Sequence, residues 1–197
     1  MKKLFFLVLL LNISLLLAQE TQTAKEFQDS LNKEYENKEE SPLTEEDFKL
    51  FKGLDFYPIN DKFVVEAKFV RTPNEKIFKM KTTGTRLPEY VKYGELSFSI
   101  DGKTFKLNLY QNIKLIEKSG FEDYLFLPFS DLSCGKETYI GGRYIDMKIP
   151  KEDTVTIDFN KAYNPYCAYN HKYSCPIVPL ENDLQIEILA GVKKFHD

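Results

Sequence analysis

The sequence predicts a mainly β protein: an antiparallel barrel-like or sandwich sheet of about eight strands with one or two N-terminal helices. Three observations carry that expectation. Apolar residues recur at helical spacing through Tyr35 and again around Phe48, then alternate with a period of two from Phe56 onward. Clusters of Gly, Pro, Asp and Ser cut this second part into short runs. No internal repeat and no second composition regime interrupts the chain, so residues 19–197 are expected to form one globular unit, with 19–55 packed as a helical segment on a β-rich body of 56–197.

The chain opens with Lys2 and Lys3, an apolar run from Leu4 to Leu17, and Ala18 before Gln19. That order of charge, apolar run and small residue predicts a signal peptide over 1–18, cleaved after Ala18. The run is short for a bilayer span and is interrupted by Asn12 and Ser14, so no stable membrane insertion is expected after cleavage. No cysteine precedes Cys134, which excludes lipid attachment just behind the leader. The mature chain is expected to be exported, either periplasmic or secreted. Losing two lysines and no acid from a net charge of -3 leaves about -5, with the remaining basic residues scattered among acids. Nucleic acid is therefore not an expected partner; a small molecule or an envelope component is.

The first helix is predicted from Ala24, Phe27, Leu31 and Tyr35 and ends before Ser41-Pro42. A short second helix follows, with Thr44 as N-cap, Asp47 as its capping-box partner, Phe48 and Phe51 facing inward and Gly53 ending it. Phe63, Val65, Ala67 and Phe69 then alternate as a strand, and the turn at Thr72-Pro73-Asn74 leads to a second run over 76–82. Asp101-Gly102 predicts a two-residue hairpin loop that sets Phe98 opposite Phe105 and Leu96 opposite Leu107. Further strands are expected over 124–129, 139–147, 154–159 and 184–190.

Between the last two of these lies the densest stretch of the chain, with Cys167 and Cys175, four tyrosines and three prolines. Loops of this length in a compact domain are functional or tied down by their own side chains. Cys167 and Cys175 are separated by seven residues, and in an oxidising compartment they are the disulfide candidate. A zinc reading through Cys167, His171 and Cys175 is disfavoured by the prolines and by the missing short Cys-x-x-Cys knuckle, so no metal and no cofactor is assigned. A nucleophilic Cys167 would depend on His171 as its base.

Arg143 shares strand parity with Ile145 and Met147 and points inward if that strand is regular; a bulge at Gly141-Gly142 would void the argument. A buried guanidinium needs a paired carboxylate, and Glu137, Asp158 and Glu181 are the candidates. The pair either clamps the long loop to the sheet or faces a ligand. Tyr163, Tyr166, Tyr169 and Tyr173 form either a packed plug or an aromatic wall, and Asn160, Asn164 and Asn182 either satisfy loop backbone or orient a ligand.

Several blocks stand in a fixed order: Ser41-Pro42-Leu43, Phe51-Lys52-Gly53-Leu54-Asp55-Phe56, Phe126-Leu127-Pro128-Phe129 with Asp131, Glu137-Thr138-Tyr139, Gly142-Arg143-Tyr144 and Asp146. Asp158-Phe159-Asn160, Ala162-Tyr163-Asn164-Pro165, Cys167-Ala168-Tyr169, Cys175-Pro176, Glu181-Asn182 and Ala190-Gly191 follow. In these the chain closely resembles the bacterial and archaeal family catalogued as domain of unknown function 1684. The resemblance spans nearly all of the mature chain and implies a shared fold and polar constellation with no established reaction. Cys134 departs from it, since a small polar residue usually precedes Gly135 there.

Catalytic templates are mostly missing. There is no Gly-x-Ser-x-Gly elbow, no phosphate-cradling glycine loop followed by Lys and no His-Glu-x-x-His, and the chain has two histidines, His171 and His196. Whether the protein is an enzyme is left open. The expected function is a small-ligand or envelope-component binding module. Its candidate residues are Glu137, Tyr139, Arg143, Asp158, Asn160, Tyr163, Asn164, Tyr169, Glu181 and Asn182. One alternative is a hydrolase using carboxylates with an Arg anchor; the other is a structural or interaction protein without a pocket.

Overall fold

The computed structural model describes residues 22–196, so the expected leader lies outside the described residues. Helix α1 (Ala24–Glu36) starts at Thr23, whose hydroxyl accepts from the Glu26 N–H while the Glu26 carboxylate accepts from the Thr23 N–H at 2.8 Å. This capping box adds a start signal to the expected apolar stripe. Replacing the cap, Thr23→Ala, is expected to cost about 1 kcal/mol, read as a lower urea midpoint with an unchanged slope. Helix α2 (Glu45–Leu50) is capped by Thr44 as expected, with the Asp47 N–H donating to its hydroxyl. It ends at Phe51 rather than Gly53, and Gly53 turns the chain two residues later at φ +116°. Leu31 and Tyr35 of α1 pack with Leu43, Leu54, Tyr169 and Val192, which joins the helical segment to the C-terminal part of the chain.

The sheet contains β1 (Val64–Arg71), β2 (Phe78–Lys79), β3 (Glu89–Ile100), β4 (Lys103–Asn112), β5 (Tyr124–Asp131), β6 (Arg143–Lys148), β7 (Thr154–Asp158) and β8 (Asp183–Leu184). Its order is β6-β5-β4-β3-β1-β7, curled into a half-barrel, with β2 added to β3 and β8 to β5. All pairings are antiparallel except that of β8, which runs parallel to β5. The β3–β4 hairpin has the expected register, Phe98 opposite Phe105 and Leu96 opposite Leu107. Asp101 and Gly102 both take positive φ, 51° and 74°, the backbone twist such a two-residue loop requires.

Three expected strands are shorter than their apolar patterns. The run over 76–82 keeps only two paired residues in β2, and β6 begins at Arg143 because Gly142, at φ +83°, turns the chain immediately before it. Residues 184–190 alternate as expected, with Leu184, Ile188 and Ala190 buried, yet only Leu184 sits in a ladder. The Ile186 carbonyl accepts from the Leu132 N–H, and the partners of Ile188 and Ala190 are side chains, described below.

Strand alternation divides the core between two faces. Leu96, Leu107, Leu125, Leu127, Phe129 and Ile145 fill the main core with Phe159 and Ile188. Tyr110, Phe126 and Tyr144 point to the other face, where Met80 and Tyr90 join them. Tyr90 has the same parity as Leu96, and the register shift between Lys92 and Gly94 moves it to the opposite side. The bulge therefore helps build the second face.

Candidate functional site

Arg143 is wholly buried and inward-facing, as its parity predicts, and its carboxylate partner is Asp131, at 3.2 Å from Nη2. Its guanidinium also donates to three carbonyls of the C-terminal segment: Nη1 to Ala190 and Val192, Nη2 to Ile188 at 2.8 Å. The other Asp131 oxygen accepts from the N–H of Ile188 at 2.8 Å and from the hydroxyl of Ser133 at 2.6 Å. The ion pair thus fastens Ile188 and Ala190 where no ladder partner reaches them, while the carbonyls of Ile186 and Gly191 accept from the N–H groups of Leu132 and Tyr57 and the Val192 N–H donates to Ala162. Burial pulls the Arg143 pKa down and Asp131 pushes it back up.

The other sequence candidates disperse. Glu137 is exposed and accepts from Tyr57 at 3.1 Å; Glu181 is exposed. Asp158 caps the turn at Phe159–Lys161 and accepts from the Asn160 side chain at 2.9 Å. Asn160 is fully buried and exchanges hydrogen bonds with the backbone of Asn60. Asn164 donates to the carbonyl of Lys193 at 2.9 Å. Asn182 spans the gap between β4 and β5, where only Tyr110 and Phe126 pair: its amide donates to the carbonyls of Asn108 and Pro128, and its oxygen accepts from the Asn108 N–H. All three asparagines thus satisfy backbone. Tyr169 packs edge-on to Tyr35 with ring centroids 5.0 Å apart, inside the helical cluster.

Tyr163 is different. Its backbone forms a two-bond bridge with Tyr144 of β6, and its hydroxyl donates to Asp146 Oδ1 at 2.6 Å. Tyr124 of β5 donates to the same oxygen at 2.7 Å. This carboxylate lies in a cleft of about 460 Å³ walled by the rings of Tyr90, Tyr124, Phe126, Tyr144 and Tyr163, with α1 contributing Phe27, Leu31 and Glu34. Arg86 and Ser174–Pro176 complete the opposite side. The rings stack in sequence: Tyr90 against Phe126, Phe126 edge-on to Tyr144 at 4.7 Å, Tyr144 edge-on to Tyr163 at 5.9 Å. Asp146 is exposed to solvent along the cleft, and the surrounding protein withdraws only part of the hydration from its charged form, which raises its pKa. The same desolvation raises the phenols of Tyr124, Tyr144 and Tyr163, so they remain donors.

Cys167 and Cys175 are both buried and both free, so the bridge expected from the sequence is not formed in this structure. They lie side by side, the Cys167 N–H donating to Cys175 Sγ at 3.2 Å. The adjoining Cys175 thiol pulls Cys167 down to about 6, and the same contact raises Cys175. Tyr139 also bonds the Cys167 sulfur, at 3.8 Å, and is pushed up to about 12, chiefly by burial. Cys175 borders the aromatic cleft; Cys167 and Tyr139 border a second cavity, of about 570 Å³, with His171 and His196. Among the described residues no three His, Cys, Asp or Glu side chains are grouped to hold a metal.

The cleft thus collects Tyr163 from the predicted set and adds Asp146, Tyr124, Phe126 and Tyr144, which were not predicted as site residues. The parity that turns Arg143 inward also sends Tyr144 and Asp146 to the other face. With Tyr124 and Phe126 sharing a face on the neighbouring strand, the constellation is readable once the two strands are paired, Phe126 opposite Asp146.

A family model described as a protein of unknown function, DUF1684, matches residues 49–193. Among solved structures, the chain is similar to the solution NMR structure of the uncharacterized protein from gene locus rrnAC0354 of Haloarcula marismortui. The two are 29% identical with a TM-score of 0.68, over 86% of this chain and 91% of that one. No curated protein matches the chain.

Proposed function

The chain belongs to the DUF1684 family of proteins of unknown function, and we propose that it is an exported binding module for a small molecule or an envelope component, with the Asp146 cleft as its site. The observation that carries this reading is a carboxylate in contact with solvent at the centre of an aromatic wall, with no basic side chain within ion-pair distance of it among the described residues. A carboxylate that serves only stability is usually paired with a cation or left in open water. The cleft volume also falls in the range of small-molecule sites, roughly 300–1,000 Å³.

The test is fragment binding followed by amide chemical shifts of the whole mature chain. Ligands are expected to shift Tyr124, Phe126, Tyr144, Asp146 and Tyr163, and Leu115→Trp, which enlarges a side chain lining the cleft, is expected to weaken them at least tenfold. A fragment panel that leaves those amides unmoved rejects the reading.

Export rests on Lys2, Lys3 and the apolar run before Gln19. No helix among the described residues is long and apolar enough to cross a membrane. Intact mass of the protein from its own cells is expected to begin at Gln19; a mass beginning at Met1 in the cytoplasmic fraction rejects export. In an oxidising compartment we read Cys167 and Cys175 as a bridge-forming pair, supported by their adjacency.

A further inference from the structure

We infer that the cleft takes a small organic cation: an ammonium, amidinium or guanidinium group whose N–H bonds meet Asp146, attached to a flat apolar body lying against the tyrosine rings. This rests on the reading of the cleft as a ligand site and names the chemistry of that ligand.

Four observations converge on it. Both tyrosine hydroxyls donate to Oδ1, and no hydrogen bond from the described residues reaches Oδ2, which leaves an acceptor for an incoming donor. The charged side chains along the cleft are Asp146 and Glu34 against Arg86, an excess of one acid, and Arg86 is turned to the carbonyl of Ser174. A ligand carboxylate or phosphate would bring a like charge to Asp146, whereas a cation supplies its missing counter-ion. Finally, the rings of Tyr90, Tyr124, Tyr144 and Tyr163 line the same cleft as the carboxylate, and an aromatic wall suits a cation-bearing ligand.

Burial raises the Asp146 pKa, and a bound cation reverses that shift by favouring the carboxylate. Affinity for a permanently charged amine should therefore climb as pH rises through the raised Asp146 pKa and level off above it. The titratable neighbours that couple to Asp146 are Tyr124 from β5, Tyr90 from β3, and Tyr163 and Tyr166 from the long loop, all shifted upward, while Tyr144 and Cys175 line the same cleft. Glu34 of α1 and Arg86 stand at the mouth. The inflection should persist in Glu34→Gln and vanish in Asp146→Asn.

The experiment compares benzylamine and benzamidine with benzyl alcohol, which keeps the ring and loses the charge, by calorimetry and amide shifts on the full mature chain. The cations are expected to bind on the order of tenfold to a hundredfold more tightly than the alcohol, the span of a charge-assisted hydrogen bond. Asp146→Asn should bring all three to the level of the alcohol. A purely structural role for Asp146 predicts a loss of melting temperature in that variant. The cation site predicts an unchanged one, because Asp146 is exposed and an amide oxygen still accepts from the hydroxyls of Tyr124 and Tyr163. Should Asp146→Asn fail to fold, the pH profile of the unaltered protein decides the matter. Equal binding of alcohol and amine, or binding that strengthens as pH falls, overturns the cation inference and leaves the cleft as a ligand site. No cleft shift with any of the three overturns both.

Discussion

Replacing Arg143 with methionine is expected to lower stability by about 3–5 kcal/mol, the cost of leaving a buried charge without its partner. Asp131 would keep the Ile188 N–H and the Ser133 hydroxyl but lose the guanidinium paired with it. Three carbonyls, of Ile188, Ala190 and Val192, would lose their donor in the same step. The melting temperature should fall by on the order of 10 °C. Arg143→Lys should recover only part of this, because a single ammonium cannot span Asp131 and three carbonyls as a planar fork does. Glu181→Gln, on an exposed side chain, serves as the contrast and should stay within about 0.5 kcal/mol. Equilibrium denaturation of the three variants checks the set; a loss below about 1 kcal/mol in Arg143→Met would refute the clamp. Since Arg143 neighbours Tyr144 on β6, partial release of residues 186–192 should also broaden the cleft resonances of Tyr144 and Tyr163.

The contrast between Arg143 and Asp146 shows what the sequence carries and what it withholds. Alternation along β6 is local, and it correctly turned Arg143 into the core. The partner of that guanidinium is not local. Glu137, Asp158 and Glu181 are the carboxylates the sequence offers, the last two because they flank the loop, whereas pairing of β5 with β6 places Asp131 beside Arg143 just past Phe129, its partner residue in the ladder. The same limit hid the cleft. Tyr124 and Phe126 lie on one short strand and Tyr144 and Asp146 on another, and only antiparallel register brings the carboxylate opposite Phe126. The hairpin at Asp101-Gly102 was legible because turn chemistry and hydrophobic pattern act over neighbouring residues. Residues 184–190 misled for the opposite reason: alternation reports which side chains are buried, and here an arginine and an aspartate take the place of the strand that would have completed the ladder.

The second large effect is expected at the thiol pair. Oxidation of the protein by diamide should join Cys167 to Cys175, the two thiol hydrogens passing to the N=N bond, which becomes a hydrazine. The two thiols adjoin, and their coupling favours a thiolate on one of them, which is the sulfur that attacks. Cys134 lies apart, its thiol raised by burial beside Asp131, and should remain free. Closing the seven-residue loop removes freedom from the unfolded chain and should stabilise the protein by about 2–3 kcal/mol, a gain of roughly 5–10 °C in melting temperature. Cys167→Ser should abolish the gain and leave the reduced protein near its starting stability. Peptide mapping after oxidation reads the connectivity directly, and three titratable thiols after diamide would sink the bridge. The bond would also join two walls, since Cys175 borders the aromatic cleft and Cys167 the neighbouring cavity. Oxidation should therefore narrow the motions of Ser174–Pro176 at the cleft and slow ligand release more than it alters association, which a comparison of dissociation rates for benzylamine before and after diamide would measure.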